Sequence, residues 1–172
     1  MKVLKFGGTS VGTVQSISNV KKIVESSDEQ CIVVVSALGG ITDLLIKTAK
    51  LASLGDVGYL SNYSQIIERH NNVISGIVAP ERQLDVRSLT DPLLEELGNI
   101  YRGVALIKDL SQRTLDIIVS YGERLSSVIV SNVIDGAKHF DSRNFIKTEL
   151  QFGKHVADLD LTRSLICSTF EH

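Results

Sequence analysis

The sequence predicts an α/β fold with a parallel sheet, and three observations lead to that prediction. Residues 1–55 pass through an apolar run, a glycine turn and a helical pattern, and then repeat that order. Residues 32–35 are all β-branched, which is typical of a strand buried on both faces of a parallel sheet. Both glycine turns directly follow apolar runs, and parallel sheets bind their ligands outside the carboxyl ends of the strands.

The elements of this first part follow from hydrophobic spacing. Val3–Phe6 is predicted as a strand, and roughly residues 11–26 as a helix with apolar residues at helical intervals. Cys31–Val35 is predicted as the second strand. A second helix is predicted from about Ile41, and its apolar stripe consists of Leu44, Leu45, Thr48, Leu51 and Ala52.

Helical periodicity dominates the middle of the chain. Three helices are predicted over roughly 61–78, 89–108 and 111–134, the last with a partial cap signal at its start. Pro80 marks a break between the first two, and Pro92 is predicted in a first helical turn. Such a cluster inserted into an α/β sheet can cover a substrate pocket, although simple core packing explains most of its apolar residues equally well.

The C-terminal part returns to strand-like or short turn character over 138–148 and ends in a helix predicted over roughly 158–170. Asp141 and Arg143 are predicted to form a turn with an ion pair. No internal repeat, low-complexity segment or obvious linker interrupts the chain.

Composition excludes several classes of protein. The chain has 172 residues, 43% of them hydrophobic and 22% charged, which predicts one globular domain or part of one. The net charge of −2 is spread along the chain, and no apolar run approaches the roughly 20 residues of a membrane span, so neither a nucleic-acid nor a membrane partner is expected. Cys31 and Cys167 are predicted to be buried free thiols of a cytoplasmic protein. The histidines show no ligand spacing, so no metal site is predicted.

The first twelve residues, MKVLKFGGTSVG, predict a turn that handles phosphate. Gly7 and Gly8 let the backbone approach an anion closely, and Lys5 supplies compact positive charge just before them. In a phosphoryl transfer these groups would neutralise charge on the transferring oxygens. Thr9 and Ser10 are candidates either for ligand contact or for the cap of the following helix.

The second glycine turn, Ser36–Thr42, is a further candidate site. Gly39 and Gly40 again permit close approach of a phosphate, and the helix that follows favours negative charge at its N-terminus. Thr42 lies in the first turn of that helix, where capping is its ordinary role. Its alternative role is a hydrogen bond to a carboxylate substrate.

Glu123 stands out in the third candidate segment, SYGERLSS at 120–127. A glutamate inside an apolar helix usually faces solvent and pairs with a neighbour such as Arg124 or Arg113. If Glu123 instead faces the pocket, its carboxylate is suited to bind a substrate ammonium group through a charge-assisted hydrogen bond.

Four segments occur in an order that resembles the aspartate kinases of the amino acid kinase family: KFGGTSVG (5–12), VVVSALGGITDLL (33–45), SYGERLSS (120–127) and DSRNFIKT (141–148). The stretch 103–127 is also similar to bifunctional aspartokinase–homoserine dehydrogenases. The resemblance implies a three-layer αβα sandwich with a mostly parallel sheet, the carbamate kinase-like fold. It also implies transfer of the γ-phosphoryl group of ATP, with Mg²⁺, to the β-carboxylate of L-aspartate, the first step of lysine, threonine and methionine biosynthesis.

The same resemblance assigns roles to individual residues. It implies that Lys5, Gly7 and Gly8 stabilise the charge on the transferring phosphoryl group. It also implies that Ser36, Thr42 and Glu123 bind aspartate, with Glu123 on the ammonium group. Arg143 lies in a matching segment, but the resemblance gives it no firm role.

The resemblance further implies that 1–172 is the N-terminal part of a catalytic domain, the part that holds the amino acid. Family members continue into a nucleotide-binding lobe and regulatory domains. We therefore expect a truncated sandwich with an exposed strand edge, incomplete ATP binding and negligible kinase turnover by this chain alone. In full-length form the enzyme is expected to be a homo-oligomer.

Three alternatives remain open on the sequence. The first is a non-catalytic module with an anion-binding glycine loop. The second is a dinucleotide-binding domain, against which the missing GxGxxG pattern argues. The third is a family kinase with another acceptor, and an ammonium-binding role for Glu123 would argue for an amino acid instead.

Overall fold

A computed structural model describes residues 1–151 and 154–170, apart from the side chains of residues 150, 151 and 154. The chain divides into two compact units, Met1–Lys138 and His139–His172. The larger unit, all of whose residues are described, contains in order β1 (Lys2–Phe6), α1 (Val14–Glu25), β2 (Cys31–Val35), α2 (Ile41–Ser53), α3 (Gly58–Ile77), a 3-10 turn (Pro80–Arg82), α4 (Gln83–Ile107) and α5 (Gln112–Val133).

In its described residues, the smaller unit contains a 3-10 turn (Ser142–Asn144), β3 (Thr148–Gln151), β4 (Lys154–Ala157) and α6 (Leu159–Phe170). The two strands pair antiparallel. Phe170 packs on Phe140 and Phe145, with ring centroids 4.8 and 5.3 Å away. Asp141 caps the 3-10 turn, and its carboxylate lies 2.6 Å from the Arg143 guanidinium, which confirms the predicted turn with an ion pair.

The sheet of the larger unit pairs β1 and β2 in parallel, with Phe6 opposite Val35. The bounds of β2 are those predicted. One prediction about this strand is wrong, because only one of its faces is buried in the described structure. Val33 and Val35 pack against the core, whereas Ile32 and Val34 are 47% and 43% exposed. The helices of this unit cover one face, so the β-branched run has an open side.

Four long helices build most of the core, and α2 lies among the other three, in contact with α3, α4 and α5. The apolar stripe predicted for α2 is confirmed, since Leu45, Thr48 and Ala52 are fully buried and Leu44 and Leu51 are half-buried. Tyr101 of α4 is also fully buried, and its hydroxyl donates a 3.1 Å hydrogen bond to the Leu45 carbonyl. The predicted helices in the middle of the chain are all present: α3 and α4 begin earlier than predicted, and α5 lies within its predicted bounds.

The helix starts correct three details of the prediction. Thr13 is the N-cap of α1 and forms a capping box with Ser16, so Thr9 and Ser10 do not cap this helix. Gly40, and not Thr42, is the N-cap of α2. Pro92 lies inside α4 and not in its first turn, because the helix already begins at Gln83. Pro92 is exposed, so water can solvate the backbone groups that proline leaves without partners.

The fold is a helix-rich mixed α/β fold. The parallel sheet of the larger unit has two strands and is smaller than the sheet of the expected three-layer sandwich. The third layer of that sandwich stays a prediction. Cys31 and Cys167 are half-buried, less than predicted, and no disulfide joins them. None of the described helices is long and apolar enough to cross a membrane.

Candidate active site

The two glycine turns meet in direct backbone contact. A Cβ atom added to Gly8 would lie 3.2 Å from the Ala37 carbonyl oxygen, and one added to Gly39 would lie 3.2 Å from the Gly8 carbonyl oxygen. Gly12 adds to the contact, because its Cβ would lie 3.5 Å from the Gly39 Cα and 3.0 Å from the Gly8 oxygen of its own segment. Three glycines thus allow a main-chain approach that side chains would prevent. The sequence pattern indicates Gly8 and Gly39 as candidate site residues but gives Gly12 no role.

The first turn follows β1 directly. Ser10 N–H donates to the Gly7 carbonyl over 2.9 Å, which closes the turn, and a Cβ on Gly7 would meet nothing within 4 Å. Thr9 is exposed and Ser10 half-buried. Lys5 lies opposite Val34 on the open face of the sheet and is exposed. In the described part of the chain, no carboxylate forms an ion pair with Lys5.

The second turn follows β2 and leads into α2. Ser36 N–H donates to the Phe6 carbonyl over 3.0 Å, which extends the strand pairing into the turn. Gly40 adopts φ 78°, a left-handed conformation that favours glycine. Thr42 is half-buried in the first turn of α2, where its residue lies at the positive end of the helix dipole.

Glu123 faces this second turn. Its Oε1 accepts a 3.3 Å hydrogen bond from Ala37 N–H, although the residue is exposed overall. The pairing with Arg124 that its position suggested does not form. Arg124 instead lies 4.3 Å from the centre of the Tyr121 ring and 3.4 Å from a Glu96 carboxylate oxygen. The carboxylate of Glu123 is therefore held at the edge of the glycine turns.

Gly122 lets α5 come close enough for this contact. A Cβ on Gly122 would lie 2.7 Å from the Ala37 Cβ and 3.3 Å from a Leu45 methyl group. Gly122 is buried, and burial is also the main cause that raises the pKa of its neighbour Tyr121. Gly122 has no role in the sequence-based prediction, although a glycine inside an apolar helix is itself a signal of close packing.

Of the predicted site residues, those of the two glycine turns and Glu123 come together in the larger unit. Arg143 belongs to the other unit. Two surface depressions lie beside α2 and between α3 and α4, and neither is lined by Lys5, Ser36 or Glu123. The candidate site is therefore a surface formed by the backbone of the two turns, with the Glu123 carboxylate at its edge. The described residues contain no group of three His, Cys, Asp or Glu side chains that could hold a metal ion.

Comparison with known families decides between the classes of protein that this geometry allows. The model of the amino acid kinase family matches residues 1–166. The chain belongs to the amino acid kinase family. That match includes the glycine turns, Glu123 and residues 139–166 of the smaller unit.

Relatives that match this chain carry the names of aspartokinases or bifunctional aspartokinase/homoserine dehydrogenases. It is 34% identical over 131 residues to aspartokinase 1, chloroplastic, of Arabidopsis thaliana, covering 74% of this chain and 22% of that protein. It is 30% identical over 176 residues to the bifunctional aspartokinase/homoserine dehydrogenase of Buchnera aphidicola subsp. Acyrthosiphon pisum (strain APS), covering 95% and 21%.

The fold agrees with a solved member of the same group. The crystal structure of E. coli aspartokinase III in complex with aspartate and ADP superposes with a TM-score of 0.84 at 27% identity, covering 98% of this chain and 37% of that one. The chain thus spans about a fifth of the length of the two curated relatives, at 22% and 21%.

Proposed function

We propose that this chain carries the amino-acid-binding part of an aspartate kinase. The complete enzyme would transfer the γ-phosphoryl group of ATP to the β-carboxylate of L-aspartate and form 4-phospho-L-aspartate. The observation that carries the proposal is the Glu123 carboxylate, hydrogen-bonded to the turn that packs against the Gly7–Ser10 turn. An ammonium-binding acid and an anion-binding backbone at one place suit an amino acid acceptor.

In this proposal the glycine turns handle the phosphoryl group. Backbone N–H groups near Gly7, Gly8, Gly39 and Gly40 and the Lys5 ammonium would stabilise the charge on the transferring oxygens, as phosphoryl transfer requires. Thr9 and Ser10 lie in the same turn and are available for contact, since Thr13 caps the helix. Because Lys5 is exposed on the open face of the sheet, a binding partner from outside this chain can reach it.

The aspartate would be held by Ser36, Thr42 and Glu123. Glu123 would bind the ammonium group, and the α2 N-terminus beside Thr42 would favour a carboxylate. No general base is needed, because a carboxylate is already ionised and nucleophilic at neutral pH. The residues need only to position the acceptor and neutralise charge.

ATP supplies the phosphoryl group, and Mg²⁺ is expected with it. The described residues contain no group of three His, Cys, Asp or Glu side chains that could hold the metal ion by themselves. The three-layer sandwich, the homo-oligomer, a cytoplasmic location and the supply of lysine, threonine and methionine synthesis belong to the complete enzyme. Monofunctional and bifunctional relatives each match most of the chain, 74% and 95% of it, and the kinase activity is the proposal common to both.

Calorimetric titration of L-aspartate into this chain tests the proposal, with succinate as a ligand that lacks the ammonium group. Glu123→Gln keeps an oxygen that can accept from Ala37 N–H but removes the charge. We expect Glu123→Gln to weaken L-aspartate binding by roughly tenfold or more, the size of a lost charged hydrogen bond. Succinate binding should change little.

Glu81→Gln is the matched control, because Glu81 is an exposed glutamate in the 3-10 turn, away from the site. It should bind both ligands as the unchanged chain does. Equal L-aspartate binding by Glu123→Gln would contradict the role of Glu123. If the unchanged chain binds no L-aspartate, the acceptor site does not reside in this chain alone.

A further inference from the structure

A residue outside the predicted motifs reaches the second glycine turn. Arg69 lies on α3, and its Nη2 donates a 2.8 Å hydrogen bond to the Gly39 carbonyl. Its Nη1 lies over the next residue, 3.5 Å from where a Cβ of Gly40 would be. The turn is therefore held from two sides, by Arg69 of α3 and by Glu123 of α5.

The Gly39–Gly40 segment needs such anchors. Neither residue has a side chain that could pack, and glycine has the greatest backbone freedom of all residues. The nearest backbone hydrogen bond within the turn runs from Ile41 N–H to the Leu38 carbonyl over 2.9 Å, and it spans both glycines without holding the peptide between them. The peptide unit between Gly39 and Gly40 can therefore reverse the directions of its carbonyl and N–H groups at a low cost in free energy, unless another group holds it.

The Arg69 hydrogen bond sets the direction of this peptide. In a trans peptide the N–H points opposite to the carbonyl. Because Arg69 binds the Gly39 carbonyl on the side of α3, the Gly40 N–H points away from α3. Among the described residues this N–H has no hydrogen-bond partner, so it is available to an anionic oxygen.

We propose that Arg69 is a positioning residue that keeps the Gly40 N–H directed at an anionic oxygen of the ligand. This inference rests on the proposed function, which places a carboxylate or phosphoryl group at the glycine turns. With the peptide reversed, the site would present the carbonyl oxygen of Gly39 to the anion and repel it. An arginine suits the task, because its planar fork can reach the carbonyl and still lie along the turn.

Amide NMR spectra of this chain during titration with L-aspartate, and separately with inorganic phosphate, test the proposal. The Gly40 amide signal should shift with the ligand whose oxygen it binds, which distinguishes a carboxylate from a phosphoryl group. Arg69→Ala should weaken that ligand by about tenfold, as expected for one hydrogen bond from a charged donor. It should also speed hydrogen exchange at Ile41 more than at Ala37, which Glu123 holds from the other side.

Two further variants complete the test. Arg69→Lys should restore part of the affinity, because an ammonium can still donate to the Gly39 carbonyl. Arg102→Ala is the matched control, since Arg102 is an exposed arginine that donates to Asn99 on its own helix. It should leave affinity and exchange unchanged.

The outcomes separate this inference from the proposed function. Unchanged affinity and unchanged Ile41 exchange in Arg69→Ala would overturn the role of Arg69. A lowered melting temperature with equal loss of protection at Ile41 and Ala37 would also overturn it, because that pattern indicates a general structural role. If the unchanged chain binds neither ligand, the proposed function fails for this chain, and the exchange at Ile41 alone decides whether Arg69 holds the turn.

Discussion

The glycine turns and the helical core of the larger unit are stabilised in opposite ways. The core depends on side-chain volume, as in Tyr101 and Ile74, which are fully buried. The turns depend on the lack of side chains, since Gly8, Gly12 and Gly39 pack main chain on main chain. Removing atoms should therefore damage the core, whereas adding atoms should damage the turns. A binding surface made of backbone is precise only if neighbouring helices anchor it.

Tyr101→Ala should have the largest effect, because it empties a fully buried position in the core. The free energy of unfolding should fall by about 3–5 kcal/mol, the usual cost of removing a large buried aromatic side chain. Tyr101→Phe keeps the ring and loses only the hydrogen bond to the Leu45 carbonyl, so it should cost about 1 kcal/mol. Urea unfolding followed by circular dichroism measures both. Equal losses in the two variants would show that the ring volume does not matter here.

His70 should make the stability of the core depend on pH. Its side chain is fully buried, and Nδ1 lies 2.7 Å from the Ile66 carbonyl while Nε2 has no partner among the described residues. Burial lowers the pKa of His70 from 6.5 to about 4, with a smaller contribution from the charge of Arg69. Between these values the unfolded chain binds more protons than the folded chain, so stability decreases as pH falls.

The loss should amount to about 3 kcal/mol between pH 6.5 and 4, at roughly 1.4 kcal/mol for each unit of pKa difference, and should level off at lower pH. Urea unfolding at a series of pH values measures it. His70→Gln should remove most of this slope, whatever its effect on stability at neutral pH. His155→Gln, at an exposed position, should retain it. An unchanged slope in His70→Gln would assign the acid sensitivity to other groups.

Much of the core could be predicted from the sequence, because its elements follow from local patterns. The bounds of β2 and the apolar stripe of α2 were predicted correctly from spacing alone. Capping of α1 was one of two roles left open for Thr9 and Ser10. Neither residue is the cap, because Thr9, Ser10 and Thr13 all carry hydroxyl groups and only the backbone conformation selects Thr13. The start of α4 was placed too late, because Pro92 is tolerated inside an exposed part of that helix.

The candidate site was less predictable, because it depends on which distant segments meet. The glycine turns could be identified, but the contact of Gly12 and Gly39 joins different turns, and Gly122 and Arg69 belong to other helices. The orientation of Glu123 also depends on a distant residue. Arg124 is engaged by Glu96 of α4, which leaves Glu123 to the turn. The burial of both faces of β2 was predicted from its composition, which does not reveal that one face is open.

Gly12→Ala should destabilise the chain less than Tyr101→Ala or the protonation of His70, and it tests the turns directly. Its new methyl group would lie 3.0 Å from the Gly8 carbonyl oxygen, so that carbonyl must shift, whereas the Gly39 Cα would be at an ordinary contact distance of 3.5 Å. We expect a loss of about 1–2 kcal/mol in the free energy of unfolding, the cost of moderate overpacking. L-aspartate binding should weaken as well, because the Gly8 carbonyl also packs on Gly39 and its shift disturbs the Gly39–Gly40 peptide. Gly7→Ala is the control, since its methyl group meets nothing within 4 Å. Both substitutions replace glycine by alanine, so both lower the conformational entropy of the unfolded chain in the same way. If both variants behave alike, the first turn tolerates a shift of the Gly8 carbonyl, and the close packing around that carbonyl is not what shapes the site.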